Sequence, residues 1–275
     1  HIPYPTSHYL WRGNLPTSTE AIGNTMSNFD AVLAFGGKSF ITVLYSDKPA
    51  LPENCDLFQL SSDGRDLGRS YATKLSLVGD IEYSARELNG LLQKEVQSKS
   101  DEYGLERVKA SKLFSDARRE LNKRADQLSV REPLHPMPVA RELARAIGKT
   151  PIVDEALATC THLRQFLDND HSRQYSMNRG GALGWGMPAA IGFSLGLGRE
   201  PVVSIVGDGA AMYSPQCLWT AAYEKLPVTF IVINNTEYNI LKNFMRSQPD
   251  YASAQTGKFI AMDLVEPPID FRALA

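Results

Sequence analysis

The 275-residue chain has no uninterrupted apolar run approaching the ~20 residues of a membrane helix, so a membrane span is not expected. It also lacks an excess of either charge. With 29 Lys and Arg against 31 Asp and Glu the net charge is −2 and the pI about 6.3, which favours neither nucleic acid nor an anionic membrane as a partner. Cysteine is scarce: Cys55, Cys160 and Cys217 are far apart and outside any CxxC spacing, which argues against a disulfide framework and a zinc site. The five histidines are scattered with no HxxxH pair, which argues against a histidine metal centre. The opening His1-Ile2-Pro3-Tyr4-Pro5 has no signal-peptide pattern, so the expected location is the cytoplasm. What is abundant is apolar side chain, 43% of the residues, enough for one large or two ordinary domain cores.

The apolar stretches are ordered as strands alternating with helical segments. "DAVLAFGG" (30–37), "DLFQLSSD" (56–63) and "LSLVGD" (75–80) read as short strands, and the last runs into "IEYSARELNGLL", whose Ile81, Ala85, Leu88 and Leu92 share one helical face. The proline-rich opening reads as an extended segment crossing a surface. From about Gln93 to Leu128 acids and bases interleave over sparse apolar positions, the pattern of a solvated helical connector rather than a nucleic-acid patch. "SVREPLHPMP" then breaks the helix with three prolines near residue 135. Beyond it, "PVARELARAIG" is an expected helix with Pro138 in its first turn and Val139, Leu143, Ala144 and Ile147 inward. "TPIVDEA" (150–156) is a strand, and a glycine-rich entry at 178–198 follows. "PVVSIVGD", a helix over "SPQCLWTAAYEKL" capped by Ser214 with Pro215 at its first position, and "VTFIVINN" form a βαβ unit. The expectation is an α/β protein of parallel sheets flanked by helices, divided as 1–95, a charged helical linker 96–136, and 137–275.

Asp208 and Asn235 are 27 positions apart, each at the carboxyl end of an apolar strand with a helix between them. A right-handed crossover makes the strands parallel and brings both side chains to one sheet edge, the edge where open α/β sheets bind ligands. A carboxylate, an amide oxygen and nearby carbonyls form an all-oxygen donor set suited to a hard cation such as Mg²⁺. Such a cation retains charge for a phosphate, toward which the helix expected near Ser214 would turn its free N–H groups. Gly207 and Gly209 allow the backbone to approach closely. "GDGAAM" fails as a dinucleotide fingerprint because the third glycine is missing, and fails as a P-loop because no Lys-Ser/Thr follows. A Gly-Asp-Gly turn without chemical consequence is the remaining alternative.

These residues resemble those of thiamine diphosphate enzymes, whose cofactor motif opens with GDG and closes with NN at about this spacing. "GGALGWGMPAAIG", "GDGAAMYSPQCLWTAAYEKLPVTFIVINN" and "IDFRALA" resemble the benzoylformate decarboxylase branch of the 2-keto acid decarboxylase and acetolactate synthase superfamily. "YPTSHYLWRGNLP" and the segment around "REPLHP" resemble its middle domain and linker. The resemblance implies that Asp208 and Asn235 bind Mg²⁺ through side chains and Glu237 through its carbonyl. It implies that Gly181 accepts from the aminopyrimidine through its carbonyl and that Leu183 props the cofactor in a bent shape. Gly207, Gly209, Ala210 and Thr159 would adjoin the diphosphate; Thr159 stands in where relatives often have hydroxyl residues at the positions of Leu157 and Ala158. Ile240, Leu241 and Phe244 would line the substrate pocket or pack on the core, and Met177 replaces an aromatic residue of benzoylformate decarboxylase. The implied substrate is a 2-keto acid, and the implied partner is a pyrimidine-binding domain of the same or a second subunit in a homodimer or homotetramer. The glutamate that protonates the aminopyrimidine has no counterpart here. The expectation is therefore a fragment, without catalytic residues of its own and silent in isolation. The open alternatives are an acetolactate synthase-like carboligase, cleavage of an acyl-CoA, and a non-catalytic Mg²⁺-diphosphate or nucleotide binder.

Overall fold

A computed structural model describes residues 4–40, 42, 46–171, 173–178 and 180–275, with the side chains of Lys94 and Ser98 outside the description. Residues 1–3 of the opening segment and Arg179 of the glycine-rich entry thus lie outside the described residues. The chain forms two compact units, Asn14–Ser111 and His1–Gly13 with Lys112–Ala275.

In the Asn14–Ser111 unit, helix α1 (Thr19–Met26) begins at Ser18, whose hydroxyl accepts the Ala21 N–H and so satisfies one free donor of the first turn. Strands β1 (Ala31–Phe35), β2 (Asp56–Ser61) and β3 (Leu75–Val78) pair in parallel in that order. Ile22 and Met26 of α1 pack with Phe40, Ala50, Leu51, Cys55 and Leu57 to form this unit's core. Helix α2 (Ile81–Ser98) starts at Asp80, whose carboxylate accepts the Tyr83 N–H. Helix α3 (Ser100–Leu128) straddles the division between the units. Among its described residues only Ala125 is buried, as the interleaved charges require.

In the second unit α4 (Pro136–Ile147) starts two residues earlier than the sequence pattern indicates. The His135 ring accepts the Met137 N–H as its cap, and Pro136 takes the first position, where a missing N–H costs nothing. Arg141 lies on its buried face and is held there by Asp126. Strand β4 (Ile152–Glu155), helix α5 (Cys160–Phe166), strand β5 (Tyr175–Met177), helix α6 (Gly186–Gly196) and strand β6 (Val202–Gly207) follow. Helices α7 (Asp208–Ala211) and α8 (Cys217–Tyr223) lead to strand β7 (Val228–Ile233), and α9 (Asn239–Arg246), α10 (Ala252–Thr256) and α11 (Phe271–Leu274) complete the unit. The sheet order is β5-β4-β6-β7, all parallel. β4 is buried throughout and β6 at every position but its terminal glycine. Each fully buried Val or Ile contributes about 1.5–3 kcal/mol, and near-continuous apolar runs are what a sheet covered on both faces demands.

Over residues 4–10 the opening segment is made of turns and bends rather than extended chain, with Thr6 buried, its hydroxyl donating to the Leu167 carbonyl at 2.6 Å and accepting the Asn169 N–H at 2.8 Å.

Candidate functional site

The register of the second sheet brings three strand ends to one edge. Glu155 pairs with Val206, and Gly207 pairs with Ile233, so Glu155, Asp208 and the chain after Ile233 leave the sheet on the same side. Asp208 is 3% exposed. Its Oδ1 accepts the Gly209 N–H at 2.9 Å, and its Oδ2 accepts the Thr236 N–H at 2.7 Å. The second bond ties the segment after β7 to the tip of β6. That segment is folded locally: Asn235 Oδ1 accepts the Glu237 N–H at 3.2 Å, and Thr236 has φ +57. Tyr238 then closes over Gly209, where a Cβ would collide with its ring. Burial, with Tyr213 and Asp208 nearby, pushes the Tyr238 phenol up from its ordinary pKa. Gly209 is thus explained by the packing of Tyr238. At Gly207 a Cβ would meet nothing within 4 Å, so no packing contact within the chain requires glycine there.

Two features around Asp208 differ from the sequence pattern. Ser214 does not cap a helix: α8 begins at Cys217 with no side-chain cap, and the Ser214 hydroxyl donates to the Gly184 carbonyl at 2.8 Å. The helix at the Gly-Asp-Gly turn is instead α7, which starts at Asp208 itself. The physical reason is that Ser214 finds an acceptor across the fold, and residues 212–216 form turns that continue neither helix.

The glycine-rich segment before α6 lies over the end of β4. Gly181 has φ +74 and Gly184 φ +94, values that favour glycine. Leu183 packs against the cluster of Met187, Ile191, Val206, Ala210 and Ala211, so Leu183 and Ala210 belong to one apolar wall. Two residues not singled out by the sequence pattern hold this segment. Glu155 is 1% exposed and accepts N–H groups of Trp185 and Gly186, and Asn178 bonds Glu155 and the loop that follows. The only advance signal is the acidic pair Asp154-Glu155 ending a buried strand.

Thr159 is buried at the start of α5, its hydroxyl making no cap bond. Ile240, Leu241 and Phe244 are exposed on α9 at 43%, 43% and 36%, and that helix is fixed by buried Lys242, which pairs with Glu237 and Asp263. Glu237 itself forms an antiparallel bridge with Asp263.

The donor set fits a hard cation. A carboxylate this buried is costly unless charge-compensated. Its observed partners are two backbone N–H groups, and among the described residues no Lys, Arg or His forms an ion pair with it. Among those residues, too, no three His, Cys, Asp or Glu side chains gather as a metal site. All three cysteines are free and buried, and no described helix is long and apolar enough to cross a membrane.

The chain is similar to several known proteins. Benzoylformate decarboxylase of Pseudomonas aeruginosa is 29% identical over 277 residues, which cover 99% of this chain and 47% of that protein. Acetolactate synthase 2, chloroplastic, of Nicotiana tabacum is 29% identical over 219 residues, 75% of this chain and 30% of that protein. The chain therefore spans about half, or less, of the length of these relatives. The crystal structure of benzoylformate decarboxylase from Polynucleobacter necessarius matches with a TM-score of 0.73 over 99% of this chain and 47% of that one, at 24% identity, which establishes the shared α/β fold. Residues 158–275 match the family model described as "Thiamine pyrophosphate enzyme, C-terminal TPP binding domain". Residues 158–275 are thus similar to the C-terminal cofactor-binding domain of thiamine pyrophosphate enzymes.

Proposed function

We propose that this chain supplies the Mg²⁺- and diphosphate-binding half of the active site of a thiamine diphosphate-dependent enzyme that decarboxylates a 2-keto acid in the manner of benzoylformate decarboxylase. The observation that supports it most is the 2.7 Å bond from the Thr236 N–H to the buried Asp208 carboxylate, which draws Asn235 to the Gly-Asp-Gly turn. In this reading the Asp208 carboxylate, the Asn235 amide oxygen and the Glu237 carbonyl hold Mg²⁺. Gly207, Gly209, Ala210 and Thr159 adjoin the diphosphate. The Gly181 carbonyl accepts a hydrogen bond from the aminopyrimidine, and Leu183, backed by the Met187–Val206 cluster, holds the cofactor bent. Ile240, Leu241 and Phe244 present apolar surface that excludes water beside the substrate. When bound, the cofactor supplies a nucleophilic carbon and an electron sink through which a 2-keto acid loses CO₂.

The work of these residues is binding and orientation. Completion of the site is assigned to a pyrimidine-binding domain of the same or a second subunit, in a cytoplasmic homodimer or homotetramer. In this reading the residues of this chain hold and orient the cofactor. Carboligation is the second reading, favoured by the likeness to acetolactate synthases. Calorimetry with thiamine diphosphate and with ADP, each with Mg²⁺, tests the proposal. It expects preference for thiamine diphosphate, lost in Asp208→Ala; a preference for ADP would instead support a nucleotide-binding role.

A further inference from the structure

Gly181 and Leu183, the two residues assigned to the organic part of the cofactor, lie on a segment without regular structure between β5 and α6. Such a segment holds one conformation only if its backbone groups are bonded. Here the Ser214 hydroxyl holds the Gly184 carbonyl, and two further side chains provide the other side-chain bonds. Asn178 Oδ1 accepts the N–H groups of Gly180 at 3.0 Å and Gly181 at 3.2 Å, while its Nδ2 donates to the Ala182 carbonyl and to Glu155 Oε1 at 3.1 Å. Both hydrogens of the amide are therefore used, and its oxygen serves two donors. Glu155, at the end of β4, accepts the Trp185 N–H at 3.1 Å through Oε1 and the Gly186 N–H at 2.8 Å through Oε2. The close approach depends on Gly186, since a Cβ there would lie 2.7 Å from Glu155 Cβ. The segment is thus clamped at its start by Asn178 and at its end by Glu155, and the two clamps are bonded to each other.

We infer that Asn178 and Glu155 are positioning residues that set the Gly181 carbonyl and Leu183 for the organic half of thiamine diphosphate, an inference that rests on the cofactor reading above. Neither lies in the Asp208–Thr236 connection that is assigned to the metal and phosphates. Their removal acts through preorganisation: a loosened loop must be ordered when the cofactor binds, and affinity falls by that cost.

The test compares Mg²⁺-thiamine diphosphate with Mg²⁺-pyrophosphate, which has the phosphates but no organic part, by calorimetry on the wild-type chain, Asn178→Ala, Asn178→Asp, Glu155→Gln and Asp208→Ala. Thiamine diphosphate is expected to bind Asn178→Ala about tenfold more weakly, the scale of a lost hydrogen-bond network, with pyrophosphate affinity unchanged and faster hydrogen exchange at the Gly180 and Gly181 amides. Asn178→Asp keeps the acceptor but loses both donors, so it shows the same selective loss and serves if the alanine variant fails to fold; Glu155→Gln shifts the ratio in the same direction. Asp208→Ala loses both ligands. Equal weakening of both ligands in Asn178→Ala, or none, overturns the inference while leaving the cofactor reading intact. A wild-type chain that binds neither ligand removes that reading, and the inference with it.

Discussion

The two parallel sheets differ in how completely they are covered. In the second unit β4 is buried at all four positions and β6 at all but its last. In the Asn14–Ser111 unit, Leu33 and Phe35 of β1 and Leu75 and Leu77 of β3 are 43–52% exposed. Register places them in two rows on one face, Leu33–Phe58–Leu75 and Phe35–Leu60–Leu77. A metal and diphosphate need oxygen atoms fixed to a fraction of an ångström, which a strand tip rooted in a doubly covered sheet provides. Glu155 and Asp208 stand on the strands that meet this condition, while Asn235 follows the half-buried edge strand β7.

Several substitutions test that contrast, beginning with the largest expected effect. Ile205, 1% exposed in β6, leaves a cavity when changed to alanine and should cost about 2–5 kcal/mol. Leu77→Ala, on the open face, should cost less than about 1 kcal/mol. Urea unfolding distinguishes the units because Trp11, Trp185 and Trp219 all lie in the second one: tryptophan fluorescence follows it alone, and circular dichroism follows both. Comparable losses for the two variants would remove the contrast.

The glycines at the loop tips extend the comparison. Gly36 and Gly184 both have positive φ, so alanine is strained at either. At Gly184 the new Cβ lies 2.7 Å from Tyr213 Cβ, whereas at Gly36 it meets the flexible Cδ1 end of Ile81 at 2.8 Å. Gly184→Ala should therefore lower stability by about 1–3 kcal/mol more than Gly36→Ala, the range of an overpacked core, as read by thermal unfolding.

The smallest effect is one of pH. All five histidines lie in the second unit. Burial, then His135 and Arg124, push the His162 imidazole below its ordinary pKa. The folded unit therefore takes up this proton less readily than the unfolded chain, whose histidine titrates near ~6.5. Its contribution to stability is present above that pH and is lost as pH falls below it. The tryptophan-detected transition should weaken on acidification from pH 7, less steeply in His162→Gln, while no histidine makes the other unit follow.

How much of this was legible in the sequence depends on the range of the interactions. The strands at 31–35, 56–61, 75–78, 152–155, 202–207 and 228–233 follow from apolar runs and their glycine or acidic ends. The shared edge of Asp208 and Asn235 follows from crossover handedness. The three-residue strand β5 was missed because Tyr175–Met177 has too few positions to show a period. Ser214 was misread as a cap because its real acceptor, the Gly184 carbonyl, is 30 positions away. Asn178 and Glu155 escaped for the same reason: 23 residues separate them, and their bond exists only once β4 and β5 are paired. Lys242 follows the same pattern, a cation buried on an amphipathic helix by Glu237 and Asp263.

The central claim is that oxygen atoms at two adjacent strand tips hold one divalent cation. Crystals grown with thiamine diphosphate and Mn²⁺, with anomalous diffraction locating the manganese, test it most directly. The account predicts one strong peak coordinated by the Asp208 carboxylate and the Asn235 amide oxygen. Manganese bound elsewhere, with the Asp208 carboxylate free of metal, would contradict it.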